Sequence, residues 1–429
     1  MLGPGQARVA KHVLIVGGGV VGLSTAYYAA AKGHRVTVVD EGPRDGDGCS
    51  FGNAGMVVPS HFVPLAAPGM VALGLRWMWN RRSPFHVRPR RSRELLGWGW
   101  RFWRAANAGH VARSAPLLRD LHLASRACFE ELSTAWGDAF GLARNGLLML
   151  CRTARGLEEE AHAAARARGL GLPAEVLTAR GAAEREPRLR MDVVGGVFYP
   201  LDCHLDPGRF MAALTRALEG AGVELVWRTP VTGWRLCGGR VEAARTESGD
   251  LPADEFVLAA GAWSATLARP LGLRIPLQAG KGYSLTLPWP RPRPAVCAIL
   301  SEARVAVTPL ADALRFGGTL ELGGLDRSID PERIEGIVES VGRYYPELGP
   351  DLFRDVPAWS GLRPCSPDGL PYLGRLPRYA NMSVATGHAM MGLSLGPISG
   401  KLMAEVLSGE PPSLDIAHLG PDRYHRGRT

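Results

Sequence analysis

The sequence predicts an α/β protein in two parts. Both ends of the chain build a discontinuous domain on a parallel sheet, and the middle inserts an α+β domain on a mostly antiparallel sheet. Three observations predict this. Residues 12–55 read as strand, glycine turn, helix and strand, the pattern of a βαβ unit. Apolar runs at 277–287, 296–299, 305–309 and 314–322 follow one another with short breaks, as antiparallel strands do. Residues 381–407 return to strand, turn and helix, so the sheet opened at the start is completed near the other end.

In the opening unit, Val13 to Val16 form a short buried strand, Leu23 to Lys32 a helix and Arg35 to Val39 a second strand closed by Asp40. Between them Gly17, Gly19 and Gly22 spell G-x-G-x-x-G. The first glycine permits the tight turn, the second lets the backbone approach a pyrophosphate, and the third lets helix pack on strand. Phosphates would sit on free N–H groups at the helix N-terminus, where the macrodipole favours negative charge. Asp40 is placed for a ribose hydroxyl rather than a 2′-phosphate. The context reads as dinucleotide binding rather than a ligand-free glycine turn, but it serves NAD and FAD alike.

A chain of 429 residues suggests two or three domains, and 46% hydrophobic with 21% charged residues is ordinary for a soluble globular protein. No apolar run reaches the roughly 18 residues of a membrane span. Residues 1–11 lack an apolar signal core and read as a loose leader, which places the protein in the cytoplasm. Seven cysteines without a C-x-x-C pair argue against a disulfide framework or a zinc site, and no metal site is read; buried thiols are expected for all but Cys365. The formal net charge is +9, and residues 76–104 carry nearly all of the excess, with nine arginines against Glu94 alone.

Cys49 to Gly55, CSFGNAG, suits a loop that passes close to a ligand, and the proline-rich 57–70 should be extended or irregular. Residues 71–107 interleave arginines with Trp77, Trp79, Trp98, Trp100 and Trp103. Such a stretch binds nucleic acid, lies on a membrane surface, or packs its aromatics on the core with arginines solvated outside. Helices are expected at 111–138, at 156–168, from Asp206-Pro207 to about Glu219, and at 331–345, with strands at 146–151, 193–199 and 223–227 and a hairpin at 231–246. Glu255 to Ala260 is a strand leading into Gly-Ala-Trp-Ser. Trp359 to Gly374 shows neither a helix nor a strand period, and the final helix should run from about Gly396 to Leu407.

Four separated motifs then point one way: VLIVGGGVVGLSTAYYAAAKGHRVTVVD, VLAAGAWS, GLRPCSPDGLPYLG and ATGHAMMGLSLGPISGKLMAE. Together they resemble the D-amino-acid oxidase superfamily of flavoproteins over nearly the whole chain. CSFGNAGMVVPSHFVPLAAPGM is similar to the D-amino-acid dehydrogenase branch, with glycine and sarcosine oxidases nearby. The resemblance implies non-covalent FAD, a discontinuous FAD-binding Rossmann-like domain (10–60, 195–268 and 355–425) and an α+β substrate domain (61–194 and 269–354). It implies that Gly17, Gly19, Val20, Val21, Gly22, Asp40 and Glu41 hold the ADP half. Ser50, Asn53, Ala54 and Gly55 would pass near the pyrophosphate or flavin. Gly261, Trp263 and Gly361 would lie beside the cofactor, and Gly387, His388, Met391, Gly392 and Leu393 would approach the pyrimidine edge of the ring.

The same resemblance sets Arg363 of G-L-R-P against a substrate carboxylate, which a planar guanidinium grips with two parallel hydrogen bonds. Several family oxidases add a tyrosine hydroxyl from a strand like RVAVTP, which here has none; Tyr283 or His61 would take that place, and His388 is a separate substrate-binding candidate. Some relatives attach flavin through cysteine, but the spacing of Cys365 differs from theirs. The expected activity is oxidative deamination of D-amino acids, D-proline-type imino acids included, by hydride transfer from the α-carbon to flavin N5, with no catalytic base required. Electrons would pass to a quinone or other carrier, and the 76–104 stretch would meet the inner face of the cell membrane as a peripheral contact. The alternatives are a glycine- or sarcosine-type oxidase using oxygen and, from another class, a basic nucleotide-binding protein that binds RNA.

Overall fold

A computed structural model describes residues 10–78, 82–88, 90, 92–288 and 294–424. Trp79, Arg81, Arg91 and most of the expected leader (residues 1–9) lie outside the described residues. A six-stranded sheet runs Tyr372–Arg375, Met382–Thr386, Glu255–Leu258, His12–Val16, Arg35–Val39, Glu224–Val226. Its pairings are parallel except the first, where Tyr372–Arg375 meets Met382–Thr386 antiparallel. Both ends of the chain therefore share one sheet, as the sequence predicts. Strands buried on both faces explain the near-continuous apolar runs Val13–Val16 and Phe256–Leu258.

A nine-stranded sheet lies beyond it, in the order Ala358–Cys365, Gln278–Pro288, Ala313–Leu322, Val305–Pro309, Cys297–Leu300, Leu147–Cys151, Gly195–Tyr199, Glu175–Thr178, with Phe85–Val87 beside Ala313–Leu322. It is antiparallel except where Cys297–Leu300 meets Leu147–Cys151 and Phe85–Val87 meets Ala313–Leu322. Sheet membership differs from the expected domain boundaries at 195 and 355. Gly195–Tyr199 pairs with Leu147–Cys151, and Ala358–Cys365 pairs with Gln278–Pro288, so both belong to the larger sheet.

The expectation for 359–374 is also corrected. G-L-R-P lies on a strand, with Arg363 opposite Gly280. No period of two shows because Ser360, Gly361 and Leu362 are all buried in succession. Pro364 is tolerated because this strand is at the sheet edge, where a missing N–H breaks no ladder bond.

Helices Val20–Ala31 and Gly392–Leu407 pack against each other at backbone contact. A Cβ on Gly400 would lie 2.4 Å from the Ser24 carbonyl carbon, and one on Gly396 would lie 2.6 Å from Val20 Cγ2. Small residues four apart on a helix permit this approach. It sets the two N-termini side by side over the parallel sheet. The second helix begins at Gly392 rather than Gly396; Pro397 lies inside it, and no side chain caps its start. Asp206 caps helix Pro207–Gly220, its carboxylate accepting from the Arg209 N–H, as its sequence predicts.

Candidate active site

One cavity of about 2060 Å³ runs between the two sheets, and its walls carry the glycine turn, the 49–55 loop, the G-L-R-P strand and the start of helix Gly392–Leu407. At one end, Gly17 has φ +119°, and a Cβ there would meet the Ala259 carbonyl oxygen at 2.4 Å. A Cβ on Gly22 would lie 1.9 Å from the Gly17 oxygen, so the third glycine is required by packing. Gly19 differs: its Cβ would meet only Ser50 Oγ at 3.5 Å, which leaves backbone open to a ligand. The helix it opens has no side-chain cap and no acid in its first turn, and the Val20 N–H donates to Ser50 Oγ. Asp40 accepts from the Gly18 N–H at 2.6 Å and the Gly42 N–H at 2.7 Å, which holds its carboxylate at the turn.

The 49–55 loop is tied to the larger sheet by Arg315, whose Nη1 donates to the Phe51 and Asn53 carbonyls at 2.9 Å each. Gly55 donates to Asn53 Oδ1, closing the loop on itself. Gly261, Trp263, Met391, Gly392 and Leu393 line the same cavity; Gly361 does too, while Gly387 (φ +83°) packs behind it against the Tyr372 ring. Helix Gly392–Leu407 again presents an N-terminus with no side-chain cap and no acid in its first turn. Two such helix ends on one cavity suit a ligand with anionic groups at two places.

Arg363 lies on the opposite wall. Its Nη1 donates to the Thr319 carbonyl at 2.6 Å, and among the described residues no carboxylate is paired with it. Burial disfavours its charge; the nearest ionisable groups are the thiols of Cys49 and Cys365. The guanidinium rests over Gly282, where a Cβ would come within 2.0 Å of Nη2. A desolvated, unmatched cation on a cavity wall is a site that awaits an anion.

The other candidates sort differently. The Tyr283 hydroxyl donates to Glu321 at 2.8 Å inside a buried cluster with Lys281 and Arg333, so it is not free for a ligand. That corrects its reading as a substrate contact: its ring edges the cavity, but its polar end points into the charge cluster. His388 is 3% exposed, its Nε2 bonds Ser399 Oγ at 2.9 Å, and burial pushes its imidazole down to about 3. It is a neutral, pinned ring. His61 lines the cavity with its Nδ1 3.0 Å from Ser60 Oγ, which donates to Asp202 at 2.5 Å. Burial, with the Arg304 charge second, holds His61 at about 4, so it is neutral too. Burial raises the Cys365 thiol to about 12, which makes it a poor nucleophile. Cys237, expected buried, is exposed.

The 71–107 stretch places its aromatics in two environments. Trp98 is buried, its Nε1 donates to the Cys365 carbonyl at 2.9 Å, and it stacks on Phe102, so it braces the G-L-R-P strand. Leu96, Trp100 and Trp103 of the same helix, Arg93–Ala105, are 73%, 53% and 63% exposed. Among the described residues no helix is long and apolar enough to cross a membrane, and no group of His, Cys, Asp or Glu is arranged to hold a metal.

Residues 12–406 match the family model described as FAD dependent oxidoreductase, DAO. The chain belongs to that family. Among its relatives, the D-amino acid dehydrogenase of Granulibacter bethesdensis is 37% identical over 425 residues, covering 96% of this chain and 99% of the relative. The D-amino acid dehydrogenase of Methylobacterium radiotolerans is 37% identical over 421 residues, with the same coverage. Glycine oxidase from Geobacillus kaustophilus superimposes with a TM-score of 0.78 at 26% identity, covering 96% of this chain and 99% of that one. L-proline dehydrogenase from P. horikoshii, at 18% identity and a TM-score of 0.74, shares the fold.

FAD is the cofactor of this DAO-family chain, and the residues present are compatible with it: the helix ends at Gly19 and Gly392, neither with an N-cap side chain, would face its phosphate and ring, and Asp40 would face the ribose. Sequence reading missed four contributors: Gly18, Arg315, Gly282 and Thr319. Gly18 had a signal as the middle of GGG, and Thr319 a weak one as the residue after Gly317-Gly318; Arg315 and Gly282 matter through contacts across strands.

Proposed function

We propose that this chain oxidises D-amino acids to imino acids, which water converts to 2-oxo acids and ammonia, and D-proline-type imino acids to cyclic imines, which water can open to amino 2-oxo acids without loss of ammonia. The buried, unmatched Arg363 guanidinium on the cavity wall carries this reading. The full-length likeness to relatives named D-amino acid dehydrogenase supports the substrate class. FAD, when bound, accepts the hydride and supplies the redox chemistry. Arg363 grips the carboxylate and so orients the α-carbon hydrogen, which is the proximity contribution to rate. The Gly282 floor keeps the guanidinium in place, and the Trp98 brace keeps its strand in place. His388 and His61, both neutral, shape the wall without adding charge. Dye reduction with D-alanine and D-proline but not with glycine or sarcosine is the expected result. Oxygen consumption with glycine or sarcosine would instead favour the oxidase reading, which the likeness to glycine oxidase keeps open.

The electron acceptor in this reading is a quinone, reached by peripheral contact with a membrane. Leu96, Trp100 and Trp103 are spaced i, i+4, i+7 and form one outward apolar face on helix Arg93–Ala105. Arg93 and Arg104 flank it, and Arg104 lies 4.9 Å from the Trp100 ring. Aromatic residues at headgroup depth with arginines on anionic lipid are the chemistry of an interfacial helix. Sedimentation with vesicles containing anionic lipid should retain the protein, and Trp100→Glu with Trp103→Glu should release it, with turnover of a soluble dye unchanged. Equal sedimentation of both proteins would refute this contact.

A further inference from the structure

The strand Ala313–Leu322 is broken in register opposite Gly282: Lys281 pairs with Glu321, but Tyr283 pairs with Gly318. The extra residue is a bulge, and Thr319 sits in it with φ +63°. A β-branched side chain in the left-handed region is a genuine outlier, because its Cβ crowds the backbone. Such strain persists where the surroundings over-determine it, and it gathers at ligand sites. Here the consequence is visible. The bulge turns the Thr319 carbonyl onto Arg363 Nη1 at 2.6 Å, which locks the guanidinium over Gly282.

Thr319 has a second peculiarity. It lines the cavity and is partly exposed, yet its hydroxyl is buried and has no hydrogen-bond partner among the described residues. A buried hydroxyl left unpaired is costly, so its place wants an explanation. One staggered step about the Cα–Cβ bond would carry the hydroxyl to the place now taken by the methyl, and the methyl to that of the hydrogen, without moving the backbone. Thr319 and Arg363 line the same cavity and are joined through the carbonyl contact, so a hydroxyl turned into the cavity would stand on the guanidinium's side of it.

We propose that Thr319 is a substrate-binding residue: on ligand entry its hydroxyl turns into the cavity and donates to the carboxylate held by Arg363. This deepens the carboxylate reading of the site and rests on it. Tyr283 cannot take the role, since its hydroxyl is committed to Glu321. The hydroxyl then gives a use to a threonine at a strained position that glycine would occupy without strain. The donor is neutral and the acceptor charged, so the bond is of the stronger kind.

The test uses the FAD-loaded protein, titrated with acetate and followed by the perturbation of flavin absorption. Thr319→Val keeps the shape and branching but removes the hydroxyl. Its acetate affinity should fall about tenfold or more, and its KM for a D-amino acid should rise more than its kcat falls. Thr319→Ser should restore most of both. Thermal stability of Thr319→Val should be equal to or above that of the wild type, because no bond in the unliganded protein is lost. Equal acetate affinity in wild type and Thr319→Val overturns the proposal, as does a loss of stability without a loss of affinity. If acetate binding depends on Thr319 while no D-amino acid reduces the flavin, the clamp stands and the substrate reading falls.

Discussion

Arg363→Lys is expected to lower kcat/KM for D-amino acids by about thirtyfold to a few thousandfold while FAD stays bound. The range follows from about 2–5 kcal/mol for breaking one side of a buried, hydrogen-bonded charge pair, at about 1.4 kcal/mol per factor of ten. Lysine keeps the charge but not the fork that meets two carboxylate oxygens at once. It also loses the link in which one guanidinium nitrogen holds the Thr319 carbonyl. The fold should survive. Arg363 forms no ion pair among the described residues, and the strand that carries it is fixed by its pairing with Gln278–Pro288 and by the Trp98 bond to Cys365. Flavin absorbance after gel filtration checks retention, and stopped-flow flavin reduction checks the rate. Wild-type kinetics in the lysine variant would remove Arg363 from the site.

Gly22→Val is expected to yield a protein without flavin and with lowered thermal stability. The new Cβ would lie 1.9 Å from the Gly17 carbonyl oxygen, and that oxygen has no room to retreat. Gly17 is held on one side by its N–H bond to the Val39 carbonyl at 2.9 Å and presses on the Ala259 carbonyl on the other. Overpacking against side chains costs about 1–3 kcal/mol, and here the obstacle is backbone, so the cost should reach or exceed the upper figure. The helix Val20–Ala31 would be pushed off the sheet, taking its N-terminus away from the phosphate position. Gly99→Ala is the control. Its Cβ meets nothing within 4 Å, and alanine is the better helix former, so flavin content and stability should hold or rise. Flavin absorbance per mole of protein and the melting temperature read both variants.

The halves of the site were unequally legible. The nucleotide half is local: Gly17, Gly19, Gly22 and Asp40 lie within one βαβ unit, where spacing along the chain fixes spacing in the fold. The closing of the sheet by Met382–Thr386 was also readable, because strand, turn and helix recur there in the same pattern. The substrate half was read through family likeness, and its details hid in cross-strand geometry. Gly317-Gly318 before Thr319 are the kind of strand glycines that mark a bulge, but the place of the bulge is set relative to Gly282, 37 positions earlier. Tyr283 misled for the same reason. A tyrosine on an apolar strand gives no sign of which face it takes, and here its hydroxyl meets Glu321 from the neighbouring strand. The 359–374 segment lost its period because both faces of its strand are covered and its edge position tolerates proline. The arginine and tryptophan stretch mixes two environments on one helix: Arg93–Ala105 turns Trp98 inward and Trp100 and Trp103 outward, so composition alone assigns it no single role.

The central claim is that the cavity brings a D-amino acid, held by Arg363, to FAD. Anaerobic mixing of the purified yellow protein with D-alanine tests it most directly, with flavin absorbance as the readout. The account predicts rapid bleaching in the wild type, little bleaching with the L-enantiomer, and slow bleaching in Arg363→Lys. A flavin that stays oxidised with every D-amino acid tried, or that bleaches equally fast without the guanidinium, would contradict it.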